Sequence, residues 1–294
     1  MFYRRKIILA LMQVFEGKID KISLQKLLFL FGQKQKKAEY DFIPYKYGCY
    51  SYSLNADLNT MVKKGILSET NSHFIINETN DYIKSLKEVD KNILNFVKTN
   101  YGKMNANSLM RHTYVNFPYW AINSVKAQEI LTEEQLNKVS TYKPKGNDIT
   151  LYTIGYEGIS LEEYLNRLLK NDVKVLIDVR KNPLSMKFGF SKKQLQMYCN
   201  SIGIEYLHFP EVGINSDQRQ ELNTQEDYDC LFEIYKKNNL ARTKDIQNKI
   251  LDLLQEKNRI ALTCFEANIC QCHRKHLAEA IENFSNFKYK VKHI

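Results

Sequence analysis

The sequence contains no apolar run that approaches the roughly 18 residues needed by a helix that crosses a bilayer. It therefore predicts a protein without membrane-spanning helices and without a membrane partner. The amino terminus has a basic start and an apolar middle, but Gln13, Glu16 and Lys18 follow without a small-residue cleavage pattern. We interpret this stretch as an amphipathic first helix and not as a signal peptide.

The sequence also lacks a disulfide framework, low-complexity tracts and internal repeats. Of its six cysteines, Cys49, Cys199 and Cys230 are scattered, whereas the other three lie together in residues 264–272. Small secreted domains have a denser framework of cysteines, so we expect a reducing, cytoplasmic location. With 44% hydrophobic and 12% aromatic residues, a chain of 294 residues is expected to form two globular domains.

Acidic residues are scarce in the first half of the chain. Residues 1–147 contain 22 Lys and Arg against 13 Asp and Glu, so this half carries about +9 of the formal net charge of +10. Such a basic half is a candidate for binding a polyanion. Lysines scattered over solvated faces would give the same charge, and both interpretations stay open.

The first 77 residues show three runs with helical periodicity, followed by a hairpin pattern. The first run surrounds Ile7, the second begins at an expected N-cap Ser23, and the third begins at Ser51 and ends near Lys64. After it comes ILSETNSHFIIN, which reads as two short strands around a polar turn. Three helices and a hairpin predict a winged helix-turn-helix domain over residues 1–77.

The stretches LQKLLFLF and FIPYKYGCYS make this segment resemble the winged-helix head of Panacea-type antitoxin and adaptor domains. A head of this kind binds either DNA or protein. We predict that Lys46, Lys63 and Lys64 contact the phosphates of a nucleic acid. The third helix carries Asp57 and has no arginine, which disfavours the reading of specific bases.

Residues 78–147 are predicted to form a helical extension and a linker, which Pro144 and Gly146 mark among polar residues. Residues 148–294 alternate four apolar runs with helical patterns. These runs are ITLYTIG, VKVLIDV, IEYLHF and RIALTCF. The fold class is therefore α/β, a mostly parallel Rossmann-like sheet covered by helices, behind a mainly helical winged-helix domain.

Polar residues follow each of the four predicted strands. Open parallel sheets bind ligands beyond the carboxyl ends of their strands, so we predict one shared site made of these residues. The residues at the four ends are Gly155, Tyr156 and Glu157; Asp178, Arg180 and Ser185; His208; and Cys264, Glu266, Cys272, His273 and Arg274.

The segments TIGYEG, DVRKNPLS and Cys-x-Glu-x5-Cys-His-Arg resemble the domain of unknown function 488 family over residues 150–280. The resemblance implies an α/β domain with a pocket at these motifs, suspected of processing nucleic acid or nucleotides. Two positions depart from the family pattern, since Ile214 replaces a frequent glycine and Cys270 is additional. The family's signature residues fall on Gly155, Tyr156, Glu157, Asp178, Arg180, Pro183, Ser185, Cys264, Glu266, Cys272, His273 and Arg274.

The stretch TCFEANICQCHR at residues 263–274 allows a metal site, but the spacing of its ligands predicts a poor tetrahedral geometry unless His208 joins them. We therefore predict no metal and no cofactor. A second possibility is a nucleophilic cysteine. Cys272 is the favoured thiolate, because it occupies a helix N-cap near Arg274, whereas Glu266 opposes the ionisation of Cys264. Thiols that only pack beside the sheet remain an equal alternative.

A third possibility uses the carboxylates and arginines. Arg180, Arg274 and the amides of the last helix would bind a phosphate, with Gly155, Tyr156, Ser185 and His273 completing the substrate site. The carboxylates that would activate water or stabilise a sugar cation are Asp178, Glu157 and Glu266. Alternatively, Asp178 and Arg180 pair only to hold the strand ends together.

These observations predict a nucleic-acid-processing enzyme in which the basic head presents the α/β domain to DNA or RNA, with DNA favoured. The α/β domain would hydrolyse a nucleotide unit or remove its base. A non-enzymatic regulator whose carboxyl-terminal pocket senses a phosphorylated or modified ligand is the alternative, and a thiol or redox function is a third. The sequence leaves the oligomeric state open.

Overall fold

A computed structural model describes residues 1–215 and 222–294, and the chain divides into two compact units, Met1–Lys143 and Pro144–Ile294. Within the described residues, every helix is too short or too polar to cross a membrane.

The first unit begins with three helices interleaved with short strands. These elements are α1 (Tyr3–Val14), β1 (Lys18–Asp20), α2 (Lys21–Gly32), β2 (Ile43–Tyr45), β3 (Gly48–Tyr50), α3 (Tyr52–Lys63), β4 (Leu67–Glu69) and β5 (His73–Ile76). Four more helices follow them, α4 (Glu88–Tyr101), α5 (Ala106–Asn116), α6 (Ala127–Ile130) and α7 (Glu133–Thr141).

The predicted hairpin is present as antiparallel strands β4 and β5, in which Leu67 pairs with Ile76. Strand β1 adds a third strand beside β5, and β2 and β3 form a separate hairpin, neither of which the sequence pattern predicted. The expected N-cap at Ser23 is wrong. The N-cap lies three residues earlier, at Asp20, whose carboxylate accepts the Ser23 amide at 2.8 Å, and helix α2 begins at Lys21.

Asp57 of α3 lies inside the first unit at 2% exposure. Its carboxylate forms an ion pair with Arg4 at 2.6 Å, and it accepts hydrogen bonds from the Nε of Arg5 and the hydroxyl of Tyr40, each at 2.8 Å. Burial and the Asp57 charge both raise the pKa of Tyr40, which keeps its hydroxyl a donor. Because Asp57 is paired with arginines inside the unit, its charge is not presented at the surface, where we expected it to disfavour the reading of specific bases.

We predict that Asp57→Ala lowers the free energy of unfolding by about 3 kcal/mol, since two arginines and a buried hydroxyl lose their common acceptor. Urea denaturation followed by circular dichroism measures the change. Glu134→Ala removes the same charge from an exposed position of α7 and should leave stability nearly unchanged. Equal effects of the two substitutions would contradict a structural role for Asp57.

The second unit is a five-stranded, fully parallel sheet in the order β10-β6-β9-β7-β8, with helices packed against it. This confirms the predicted parallel α/β sheet. Its strands are β6 (Thr150–Gly155), β7 (Val175–Asp178), β8 (Glu205–His208), β9 (Arg259–Cys264) and β10 (Lys290–His293). Its helices are α8 (Leu161–Lys170), α9 (Lys192–Ser201), α10 (Gln225–Tyr235), α11 (Lys244–Lys257) and α12 (His273–Glu282).

Strand β9 lies between β6 and β7, although it comes last of the three in the chain. This order places the carboxyl ends of β6, β9 and β7 side by side at the centre of the sheet. These three strands occupy the centre of the sheet because they consist mainly of apolar residues, which are buried on both faces there.

Candidate functional site

The ends of β6 and β9 are joined by close backbone contacts. Gly155 pairs with Cys264, and the amides of Tyr156 and Glu157 both donate to the carbonyl of Phe265, at 3.1 and 2.9 Å. A Cβ atom on Gly155 would lie 1.9 Å from the carbonyl oxygen of Glu266. Glycine is required at this position because any side chain would push the two loops apart.

Asp178 and Arg180 form a buried, bidentate ion pair at the end of β7. The Arg180 Nε donates to Asp178 Oδ1 at 2.8 Å and its Nη2 donates to Oδ2 at 2.5 Å. Nη1 donates to the Tyr156 hydroxyl at 2.7 Å and to the Phe190 carbonyl at 2.9 Å, while the Tyr206 hydroxyl donates to Asp178 at 2.6 Å. The carboxylate and the guanidinium are therefore almost fully occupied by protein groups.

The electrostatics of this pair agree with its geometry. Burial alone would lower the pKa of Arg180, but its hydrogen bonds and charge interaction with Asp178 raise it instead. The arrangement corresponds to the alternative in which the pair holds the strand ends together. A catalytic role for Asp178 stays a prediction.

Arg274 is also buried, at 2% exposure, in the first turn of α12. Its Nη1 donates to the Glu266 carbonyl at 2.6 Å and its Nη2 donates to the Ala267 carbonyl at 3.4 Å. The buried Nε has no hydrogen-bond partner among the described residues. Arg274 thus fixes the loop between β9 and α12, and phosphate binding by Arg180 and Arg274 stays a prediction that requires some of these bonds to open.

Tyr156, whose hydroxyl accepts a hydrogen bond from Arg180, is itself held in place by its neighbours. Its ring stacks on Phe190 with ring centroids 4.2 Å apart, and burial raises the pKa of its hydroxyl. The Nζ of Lys187 donates to the Tyr156 carbonyl at 2.6 Å, and the Ser185 hydroxyl accepts the Lys187 amide at 3.2 Å. Burial lowers the pKa of Lys187. Sequence reasoning missed Lys187, because a lysine in a polar loop resembles an ordinary solvated residue.

The three predicted carboxylates occupy different environments. Asp178 is saturated inside the sheet, while Glu157 is exposed and accepts the amide of Ala267 at 2.9 Å. Glu266 is half-buried and lines a cavity of about 370 Å³. The other residues that line this cavity are Leu222, Asn223, Tyr228, Leu231, Phe232 and Gln271.

Cys264, Cys272 and His273 meet at the junction of β9 and α12, each at 1% exposure or less. Their two sulfur atoms and one imidazole nitrogen all lie within 4.8 Å of one another. The Cys264 Sγ is 3.6 Å from His273 Nδ1, and His273 Nε2 is 3.0 Å from the Val179 carbonyl. Since a carbonyl only accepts, Nε2 carries the proton and Nδ1 turns its lone pair towards Cys264.

Cys272 is the N-cap of α12, as the sequence predicted. Burial raises the pKa of its thiol well above the ordinary value, and the neighbouring Cys264 and Glu266 act in the same direction. The charge of Arg274 lowers this pKa, but not enough to offset burial and the two neighbouring groups. The expected lowering of the Cys272 pKa is therefore wrong.

The other candidate ligands lie elsewhere. His208 contacts the Arg180 carbonyl and the Lys192 ammonium, so it does not join the two thiols, and Cys270 is exposed. His276 is paired with Glu279 at 3.0 Å.

The predicted nucleic-acid contacts of the first unit are all exposed. Lys63 and Lys64 end α3 immediately before the β4–β5 hairpin. Lys46 borders a cavity of about 300 Å³, which is also lined by the buried Lys26. The Lys26 Nζ donates to the Cys49 carbonyl at 2.8 Å, and burial lowers its pKa.

Residues 160–281 match the family model described as Domain of unknown function DUF488. This match confirms the resemblance of the carboxyl-terminal half and includes Asp178, Arg180, Glu266 and Cys272. A comparison with curated proteins gave no match.

We predict that Asp178→Asn lowers the free energy of unfolding by about 3 kcal/mol or more, because it leaves the buried Arg180 guanidinium without its counter-charge. Urea denaturation of the full chain provides the measurement. Glu157→Gln is the matched acid-to-amide control at the neighbouring strand end, and it should change stability little because its side chain is exposed. An Asp178→Asn protein as stable as the control would show that the pair does not hold the strand ends.

Proposed function

We propose that this protein is a nucleic-acid-processing enzyme whose α/β unit hydrolyses a nucleotide unit or removes its base. The observation that carries this proposal is the position of Glu266, a half-buried acidic residue that lines a cavity of about 370 Å³. This volume lies within the usual range of small-molecule sites.

The cavity combines an acid with aromatic surface. Tyr228 and Phe232 of α10 line it, with their ring centroids 6.1 Å apart, and aromatic faces of this kind stack on nucleobases. Gln271 and Asn223 add amide groups that can hydrogen-bond to base or sugar. A nucleoside unit therefore matches both the size and the chemistry of the cavity.

Glu266 would act as the general base. In base removal, a water oxygen bonds to the sugar C1′ while the bond from C1′ to the base nitrogen breaks. The carboxylate takes a proton from the water and returns it to the departing base, so the products are a free base and a sugar hydroxyl. In this reaction Asp178 would fix the strand ends, and the predicted catalytic role of its carboxylate is not required.

The first unit would deliver the nucleic acid. Its first three helices and the β1-β5-β4 sheet support the winged-helix assignment, and its excess of eight positive charges over residues 1–143 favours phosphate binding. Lys63 and Lys64 stand at the start of the hairpin, where a wing would meet the backbone of DNA. We favour DNA over RNA as the partner.

The alternative is a non-enzymatic regulator in which the same cavity holds a phosphorylated or modified ligand without chemistry. Binding to one DNA sequence that changes with such a ligand, without any product, would favour the regulator.

We predict that mass spectrometry detects a released base or an altered nucleotide after incubation with single- or double-stranded DNA or RNA, natural or modified. Glu266→Gln should reduce the rate of product formation at least about 100-fold, since a general base contributes about 10²–10⁴-fold. Glu233→Gln on the exposed surface of α10 is the matched control and should retain full activity. Product formed equally by both variants would exclude Glu266 as the base, and absence of product with every substrate would exclude the enzyme.

We predict that Lys63→Gln combined with Lys64→Gln weakens binding to DNA and reduces the slope of log K against log salt by about 2, one unit for each lost phosphate contact. Fluorescence anisotropy over a salt series measures this slope. Lys84→Gln combined with Lys103→Gln removes two exposed charges outside α3 and the hairpin. If both double variants change the slope equally, the charge of the first unit acts diffusely and the wing makes no specific contact.

A further inference from the structure

The cluster of Cys264, Cys272 and His273 has the composition of a zinc site. Thiolate sulfur and imidazole nitrogen are the ligands that Zn²⁺ prefers, and these three side chains come from the end of β9 and the start of α12. Sequence spacing predicted a poor tetrahedral geometry. In the structure, the loop between residues 265 and 271 turns the start of α12 back onto the end of β9, which brings the two thiols and the imidazole together, while His208 does not join them.

The distances within the cluster fit a shared tetrahedral ion. A zinc ion lies about 2.3 Å from sulfur and about 2.0 Å from nitrogen, so two such ligands at a tetrahedral angle are about 3.6 Å apart. The Cys264 Sγ and His273 Nδ1 are 3.6 Å apart. All three ligand atoms lie within 4.8 Å of one another, close enough to surround one ion with little rearrangement.

The orientation of His273 supplies an independent observation. Ligand histidines almost always donate their second ring nitrogen to a carbonyl or carboxylate, which fixes the ring and its tautomer. His273 Nε2 makes this bond to the Val179 carbonyl at 3.0 Å, and Nδ1 is left facing the sulfur atoms. Val179 lies between Asp178 and Arg180, so the buried ion pair fixes the carbonyl that orients the imidazole.

The surrounding loop is built to keep the two cysteines in place. Arg274 binds the carbonyls of Glu266 and Ala267, at 2.6 and 3.4 Å, within the loop that separates Cys264 from Cys272.

We infer that Cys264, Cys272 and His273 bind a Zn²⁺ ion, with one tetrahedral position left for a non-protein ligand. Three protein ligands are typical of catalytic zinc sites, whereas structural sites usually have four. Glu266 follows Cys264 by two residues, and a carboxylate beside a zinc ion serves as a proton acceptor in hydrolytic sites. The zinc site does not rest on the proposed function, because zinc binding is measurable without any substrate.

The competing explanation is that two neutral thiols pack against a neutral imidazole and need no ion. The two explanations differ in a measurable quantity, the metal content of the purified chain.

We predict about one zinc per full-length chain by inductively coupled plasma mass spectrometry, after expression with zinc and dialysis without chelator. Cobalt added to the metal-free chain should give thiolate-to-cobalt charge-transfer absorption and the visible bands of tetrahedral Co²⁺. A wild-type chain that retains no zinc and gives no such bands with cobalt would overturn the inference, whatever the variants do.

The variants then test which residues are the ligands. Cys264→Ser, Cys272→Ser and His273→Asn should each weaken cobalt binding by more than about 100-fold, because loss of an outer partner alone costs about 10–100-fold. Cys270→Ser is the matched control, since Cys270 lies in the same loop but is exposed, and it should bind cobalt as the wild type does. Circular dichroism separates loss of a ligand from loss of the fold.

Equal binding of cobalt by Cys264→Ser and Cys270→Ser would place the ion elsewhere and overturn the assignment. Zinc binding without nucleic-acid chemistry would leave the site standing and remove only the proposed reaction.

Discussion

The buried ion pair between Asp178 and Arg180 organises the carboxyl edge of the sheet. Moving two charges out of water costs several kcal/mol for each ion, so such a pair persists only when its hydrogen bonds are complete. Here Tyr156, Tyr206 and the Phe190 carbonyl complete them. The pair thereby ties the loop after β7 to the end of β6 and to β8.

The same ion pair also fixes the position of Val179, the residue between its two members. The Val179 amide donates to the Thr263 carbonyl at 3.2 Å and the Val179 carbonyl accepts His273 Nε2 at 3.0 Å. The end of β7 is thus joined through its backbone to β9 and through an imidazole to α12. The thiol and imidazole cluster is oriented by an interaction in which it takes no direct part.

The sequence predicted the elements that depend on local pattern. Strands β6, β7 and β9 were found because parallel strands buried on both faces contain apolar runs, and the partly buried β8 because it lies in a short apolar run. Helices α8 to α12 were found because their apolar residues recur at helical spacing. Strand β10 was missed because its residues KVKH, at the edge of the sheet, contain a single apolar residue. The hairpin of β2 and β3 was missed because each strand has only three residues, and one of them is a proline in β2 and a glycine in β3, residues that are rare in strands.

The site was predicted less completely, since its chemistry depends on burial. The sequence placed Cys272 at a helix N-terminus, where the helix dipole contributes about 0.3–1 kcal/mol in favour of the thiolate. Burial of the thiol opposes the charge and raises the pKa of Cys272 well above its ordinary value, so burial outweighs the dipole. In the same way, the sequence identified Asp178 and Arg180 as neighbours at a strand end, but only the structure shows that they satisfy each other and are closed to solvent.

Packing at the strand ends decides where a substrate could react. The centre is filled, because Gly155 lies against the Glu266 carbonyl and both arginines are engaged inside the protein. Open space lies beside α10, where Glu266 faces the cavity lined by Tyr228 and Phe232. In the proposed reaction, a nucleotide in this cavity would lie beside Glu266, and its phosphate would need either another cation or the opening of bonds made by Arg274. The proposed chemistry therefore depends on the aromatic and acidic residues of this cavity more than on the two arginines.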